Sequence, residues 1–259
     1  MKIYDFCREP SLLIQGAMDT ETDYLAEQLE QRECVTLGNW KFDMGFLGKQ
    51  QEPVIISRTF QGMVNAAAAT SLALVHFSPK AVINQGIGGG HDPKFHRGDI
   101  VIGERVVPMG AIIRPFSAEG EGISERDFRS LPIEIYNRNT GKAEKVLDFP
   151  CDGRLLMLAE QAASERSAAQ RTIKRGIIGS ADEWNNQLDR IALLRERYGT
   201  SVEDMESAAA AQLCFSYGIP FLGIRILANS IVNGEEFDES VGIDCQRFVL
   251  DYVEMLYGF

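Results

Sequence analysis

Apolar positions along the chain fall into two kinds of run. Residues 11–15, 81–85 and 219–228 are short and largely apolar, the signature of strands buried on both faces of a largely parallel sheet, and 172–179 reads as a further strand. Between them lie segments of helical character: from Asp19 to about Glu30, from Ala66 to Phe77 before the stop Ser78-Pro79, from Gly153 towards Ala169, and from about Asp238 to Leu256. The last puts Val241, Cys245, Phe248, Val249, Tyr252 and Met255 on one face. A further helix is expected where Glu203, Asp204 and Glu206 precede the Ala-rich run 208–211, because acidic residues complement a helix N-terminus. Residues 33–40, 41–47 and 53–57 predict a meander broken at Gly38 and Gly45. Strands alternating with helices give an α/β fold.

In open α/β sheets, ligands gather at the carboxyl ends of the strands, and those ends are polar here. The first strand runs into Gly16-Ala17-Met18-Asp19-Thr20-Glu21, where Glu21 either complements a helix dipole or holds and deprotonates a water. The second is followed by Gly86-Ile87-Gly88-Gly89-Gly90-His91, read as a loop whose backbone N–H groups approach a ligand or as a turn needing positive φ. The third ends in Ser180-Ala181-Asp182-Glu183-Trp184-Asn185, with Trp184 either a core residue or a stacking platform. The fourth ends in Ala228-Asn229-Ser230. The site is therefore expected where the strands finish near Gln15, Gln85, Gly179 and Leu227, bordered by a turn-rich excursion over residues 105–150.

A length of 259 residues suits one domain, residues 1–259, containing that excursion. The net charge of −11 argues against a nucleic-acid partner, which would need clustered Lys and Arg. No apolar run reaches the length of a membrane span and the N-terminus lacks a signal-peptide core, so a cytoplasmic location without membrane association is expected. Cys7, Cys34, Cys151, Cys214 and Cys245 lie far apart and are expected to be reduced thiols. His76 falls near a helix C-terminus as a dipole-complementing or packed residue, and with only His91 and His96 besides, no metal and no cofactor is expected.

The order of motifs, Gly-Ala-Met-Asp-Thr-Glu, the glycine stretch followed by Gly-Asp-Ile-Val-Ile, Val-Glu-Asp-Met-Glu-Ser-Ala-Ala and Pro-Phe-Leu-Gly-Ile-Arg, resembles the purine nucleoside phosphorylase/uridine phosphorylase superfamily. Within it, the chain resembles the methylthioadenosine/S-adenosylhomocysteine nucleosidases over most of its length outside residues 105–150. The resemblance implies a three-layer α/β/α sandwich around a mixed, largely parallel sheet, assembled as a homodimer. It implies that Glu21 activates the attacking water and that Met205 and Glu206 hold the ribose. Trp184 would stack on the base and Asn185 would lie where backbone groups read its edge. Gly88, Gly89 and Gly90 would lie under the sugar, Met18 would touch the substrate, and Arg225 would stand beside the site as a substrate-binding residue.

Two positions depart from the pattern. Asn229 stands where the adenine-specific nucleosidases carry an Asp that assists protonation of the purine at N7, and Ile87 replaces a small polar residue. An amide donates a hydrogen bond but delivers no proton. The resemblance implies hydrolysis of the N-glycosidic bond of a purine nucleoside, methylthioadenosine or S-adenosylhomocysteine first among them, with Glu21 and Asn229 as catalytic residues. Two alternatives stand beside it: phosphorolysis of a 6-oxopurine nucleoside, and a non-catalytic nucleoside-binding homologue.

Overall fold

The computed structural model describes residues 10–166 and 171–256. Strand β1 (Leu12–Gly16) leads into helix α1 (Asp19–Glu27), and the meander follows as β2 (Glu30–Leu37), β3 (Trp40–Leu47) and β4 (Glu52–Arg58). Helix α2 (Met63–Phe77) precedes β5 (Ala81–Gly90) and β6 (Ile100–Pro108). The excursion holds two small hairpins, β7 (Ile112–Ile113) with β8 (Arg129–Ser130) and β9 (Ile133–Asn137) with β10 (Lys142–Val146), then β11 (Phe149–Pro150). Helix α3 (Gly153–Glu165), β12 (Ile173–Ser180), α4 (Leu188–Tyr198), β13 (Val202–Asp204), α5 (Ser207–Tyr217), β14 (Phe221–Asn229) and α6 (Gly242–Met255) complete the order. The expected extension of α3 to Ala169 and the expected thiol at Cys7 lie outside the described residues.

The main sheet runs β11-β6-β12-β13-β5-β1-β4-β3-β2, and β14 is inserted between β5 and β6, parallel to the first and antiparallel to the second. Strands β5, β14, β6, β12 and β13 thus close on themselves at one side of a mixed sheet covered by helices, an α/β sandwich. Every residue of β14 is buried, as a run apolar apart from Arg225 and the terminal Asn229 requires. One core cluster reaches from Leu12 to Leu256. Among the described residues no helix is long and apolar enough to cross a membrane.

One expectation fails because distant segments pair. The stretch 86–90 is no loop: it continues β5, pairing with β14 along one edge and with Val202 and Glu203 of β13 along the other. A side chain at Gly88 would meet the Glu203 carbonyl oxygen at 2.6 Å, so glycine permits this double pairing. Glu203 and Asp204 close strand β13, and the helix expected over the Ala-rich run begins at Ser207 with Glu206 as its N-cap.

Candidate active site

The strand ends converge on a cavity of about 250 Å³. It is lined by Ala17, Met18 and Glu21 after β1, by Ile87, Gly88 and Gly89 of β5, by Glu183 and Trp184 after β12, by residues 203–206, and by Asn229 at the end of β14. Gln61 before α2, and Phe237 and Glu239 beyond β14, close it. No lining residue comes from 105–150; the excursion instead approaches the outer side of the Trp184 loop through Glu125 and Arg126. The excursion is therefore not at the cavity's border.

Glu21 sits in the first turn of α1, but its carboxylate turns back under the sheet. Oε2 accepts the N–H groups of Ala17 at 2.5 Å and Met18 at 3.0 Å, and Oε1 accepts that of Ile87 at 2.7 Å. Gly86 makes the close approach possible, since a Cβ there would collide with Oε1. Burial pushes its pKa up, against the opposing pull of Arg225 and the three N–H donors. A buried carboxylate with a raised pKa, at the wall of a cavity, is a stronger base towards a bound water than a solvated one.

Glu206 lines the same cavity as Glu21. Its Oε1 accepts the Gly62 N–H at 2.8 Å and its Oε2 that of Met205 at 3.3 Å. Burial, together with the neighbouring Asp204 charge, pushes its pKa up to about 8. Arg225 lies behind this pair: its guanidinium is buried, 2.7 Å from Asp204 Oδ2, and donates to the carbonyls of Asn84 at 2.9 Å and Ile224 at 2.8 Å. It does not line the cavity, so Arg225 is a counter-ion beneath the carboxylates and not the substrate contact expected of it.

The raised pKa of Glu206 has a stability consequence. Folded Glu206 keeps its proton up to about 8 whereas an unfolded glutamate loses it near 4.5, so the folded state binds more protons in that window and stability falls as pH rises through it. Glu206→Gln removes the titration. The variant is expected to melt higher than the wild type at pH 9 and to lose that advantage at pH 5; equal offsets at both would show that Glu206 does not titrate abnormally.

Trp184 is no core residue: it is 58% exposed, lines the cavity and packs on Phe237 with ring centroids 5.1 Å apart. Asn185 is turned away, its N–H and Nδ2 donating to Glu203 at 2.9 and 2.5 Å. Gly90 stands behind the wall, against Leu227 and the Asn229 carbonyl, and does not reach the cavity. His91 is buried, with Nδ1 2.8 Å from Thr200 Oγ1 and Nε2 3.1 Å from Glu203 Oε2.

The family model described as the phosphorylase superfamily matches residues 11–254. The chain belongs to that superfamily. Among curated members, the 5'-methylthioadenosine/S-adenosylhomocysteine nucleosidase of Aeromonas salmonicida is 30% identical over 88% of both chains. The Bacillus cereus protein of the same name is 28% identical over 95% of this chain and 99% of its own length. Among solved superfamily structures, the Neisseria meningitidis nucleosidase in complex with methylthio-immucillin-A superposes with a TM-score of 0.74 at 24% identity, covering 95% of this chain and 99% of that one. The futalosine hydrolase of Helicobacter pylori superposes at 0.73 and 21% identity, covering 94% and 97%.

Sequence reasoning missed Gln61, Ile87 as a wall residue, Glu203 and Phe237, all of which line this superfamily member's cavity. Phe237 carried a signal, a lone aromatic within Glu-Glu-Phe-Asp-Glu, since a large apolar side chain in an acidic segment needs a surface to cover.

Proposed function

We propose that this chain hydrolyses the N-glycosidic bond of a purine nucleoside of the methylthioadenosine/S-adenosylhomocysteine type, releasing the free base and the corresponding ribose derivative. The observation that carries this reading is the charge of the cavity wall. Glu21, Glu183, Glu203, Asp204, Glu206 and Glu239 line it, and no Lys or Arg is among its lining residues. A phosphate nucleophile needs cationic donors, whereas a water needs a base. The nucleosidase names of the curated relatives point the same way.

In this reading the substrate's flat base lies against Trp184, whose exposed ring and Phe237 partner form one wall. The ribose hydroxyls donate to Glu206, with Met205 beside them, and the sugar passes over Gly88 and Gly89 while Met18 closes the near side. Glu21 takes a proton from the attacking water as the bond from the anomeric carbon to the base nitrogen breaks. Positive charge then develops on the ribose, and the ring of carboxylates stabilises it. Asn229 donates to the departing base. Binding through the ionised form of Glu206 releases its proton near neutrality. Calorimetry at pH 7 in two buffers of different ionisation enthalpy should detect that release with a nucleoside substrate analogue, and Glu206→Gln should abolish it; identical proton counts would remove Glu206 from the ribose.

Homodimeric assembly belongs to this reading, supported by the apolar side chains Phe116 and Ile123 that the excursion leaves 94% and 87% exposed. A cytosolic location accords with the free buried thiols Cys151, Cys214 and Cys245. The reading is tested by incubating the protein with methylthioadenosine, with and without phosphate. Release of adenine and a reducing sugar at the same rate in both supports it; formation of a ribose 1-phosphate only when phosphate is present would make the chain a phosphorylase.

A further inference from the structure

The turn between β4 and α2 contains a backbone outlier next to the cavity lining. Phe60 has φ 63°, and an aromatic residue stays in that region only where its surroundings over-determine it. Three contacts do so here. The Thr59 N–H donates to the Gly16 carbonyl at 2.8 Å, and Trp40 Nε1 donates to the Thr59 carbonyl at 2.9 Å. The Arg58 guanidinium lies 5.0 Å from the centroid of the Phe60 ring while it pairs with Asp19 in the first turn of α1. The residues just after Phe60 are the ones that meet the site. Gln61 lines the cavity with Nε2 3.2 Å from Met18 Sδ, the Gly62 N–H reaches Glu206 Oε1 at 2.8 Å, and the Met63 N–H reaches Asp182 Oδ1 at 2.8 Å in the segment that leads to Trp184.

We infer that Phe60 is a positioning residue: clamped under Arg58, it holds its turn in the conformation that aims the Gly62 N–H at Glu206 and fastens that turn to the one carrying Glu21. The inference goes beyond the hydrolytic reading and takes from it only that ionised Glu206 holds the ribose. Of the two backbone donors to Glu206, the Met205 N–H at 3.3 Å is its chain neighbour, whereas the Gly62 N–H at 2.8 Å comes from the other turn and is lost when that turn moves. The charges that act on Glu206 are Asp204 and Glu21, which oppose its ionisation, and Arg225, which favours it. None of the three belongs to the turn, so a change at Phe60 reaches Glu206 through the N–H. A hydrogen bond to a charged group is worth about 10-fold or more in an equilibrium constant, so losing it should make Glu206 about 10-fold harder to ionise.

The test is the pH dependence of melting, which needs no substrate. Folded Glu206 ionises only near pH 8, so the bond from Gly62 to the ionised carboxylate stabilises the fold above that pH and contributes nothing to it at pH 5. Phe60→Val, whose β-branched side chain disfavours positive φ and cannot stack under Arg58, should melt below wild type by a margin that grows between pH 5 and pH 10, by about 10-fold in the folding equilibrium constant. In a Glu206→Gln background the margin should be the same at both. Phe60→Tyr, which keeps the stack, should follow the wild type. If Phe60→Val does not fold, Phe60→Gly, which tolerates the φ but lacks the ring, takes its place. In turnover, KM for methylthioadenosine should rise about 10-fold at pH 7 and return towards the wild-type value at pH 10, with kcat changing less. A melting deficit equal at pH 5 and pH 10, or one that widens as much in the Glu206→Gln background, overturns the inference, because a turn that only packs costs the same whether or not Glu206 is charged. A widening deficit in a protein that cleaves no nucleoside would sustain it while removing the hydrolytic reading.

Discussion

Glu21→Gln is expected to lower turnover by about 10²- to 10⁴-fold, the range in which a positioned general base contributes, while leaving ground-state affinity nearly unchanged. The amide has the shape of the carboxylate and the same place at the wall, but takes no proton from water. Its cradle also disfavours it: the carboxylate is met only by donors, the N–H groups of Ala17, Met18 and Ile87, and an amide NH₂ turned towards any of them is a donor facing a donor. Some loss of stability should therefore accompany the kinetic effect, and the two are separated by measuring kcat on protein shown to be folded at the assay temperature. Wild-type turnover in a folded variant would reduce Glu21 to a residue that organises the start of α1.

Asn229→Asp carries the second large effect. A departing purine is a better leaving group when protonated, and Asn229 offers a hydrogen bond without a proton. An Asp at this place would stand beside Glu203, since both flank the same point of the wall near Gly89, and like charge in a buried site favours the protonated acid. The variant is thus expected to raise kcat on adenine nucleosides relative to hypoxanthine nucleosides by about 10²-fold, the lower end of what a positioned proton donor supplies, with KM changing less. An unchanged ratio of kcat/KM between methylthioadenosine and its hypoxanthine counterpart would show that residue 229 does not face the base.

The sequence made the strand ends legible because the buried strands announce themselves. The run 219–228 contains one charged residue, Arg225, and the structure buries it from Phe221 onward, pairing the guanidinium with Asp204 below the cavity. Arg225 was misread because a charge within an apolar strand looks the same from sequence whether it faces a ligand or neutralises carboxylates behind one. Glu203 was misread for a different reason. The helix it precedes does begin at Ser207, but the pairing of Val202 and Glu203 with Gly90 and Gly89, more than a hundred residues away, first makes a strand that brings Glu203 to the cavity wall. Local propensity carries no information about such long-range pairing. Met18, Glu21 and Trp184 follow short turns after their strands and Asn229 ends its own, where sequence position and spatial position coincide, and all four reach the cavity.

The central claim is that water, activated at Glu21, attacks the sugar in a cavity whose carboxylate lining repels phosphate. It is tested most directly by running the reaction to completion in ¹⁸O-labelled water containing unlabelled phosphate and analysing the sugar product by mass spectrometry, with the spectrum recorded before the anomeric hydroxyl exchanges with solvent. One ¹⁸O atom at the anomeric carbon and no phosphorylated sugar is the predicted result; an unlabelled ribose 1-phosphate would contradict it.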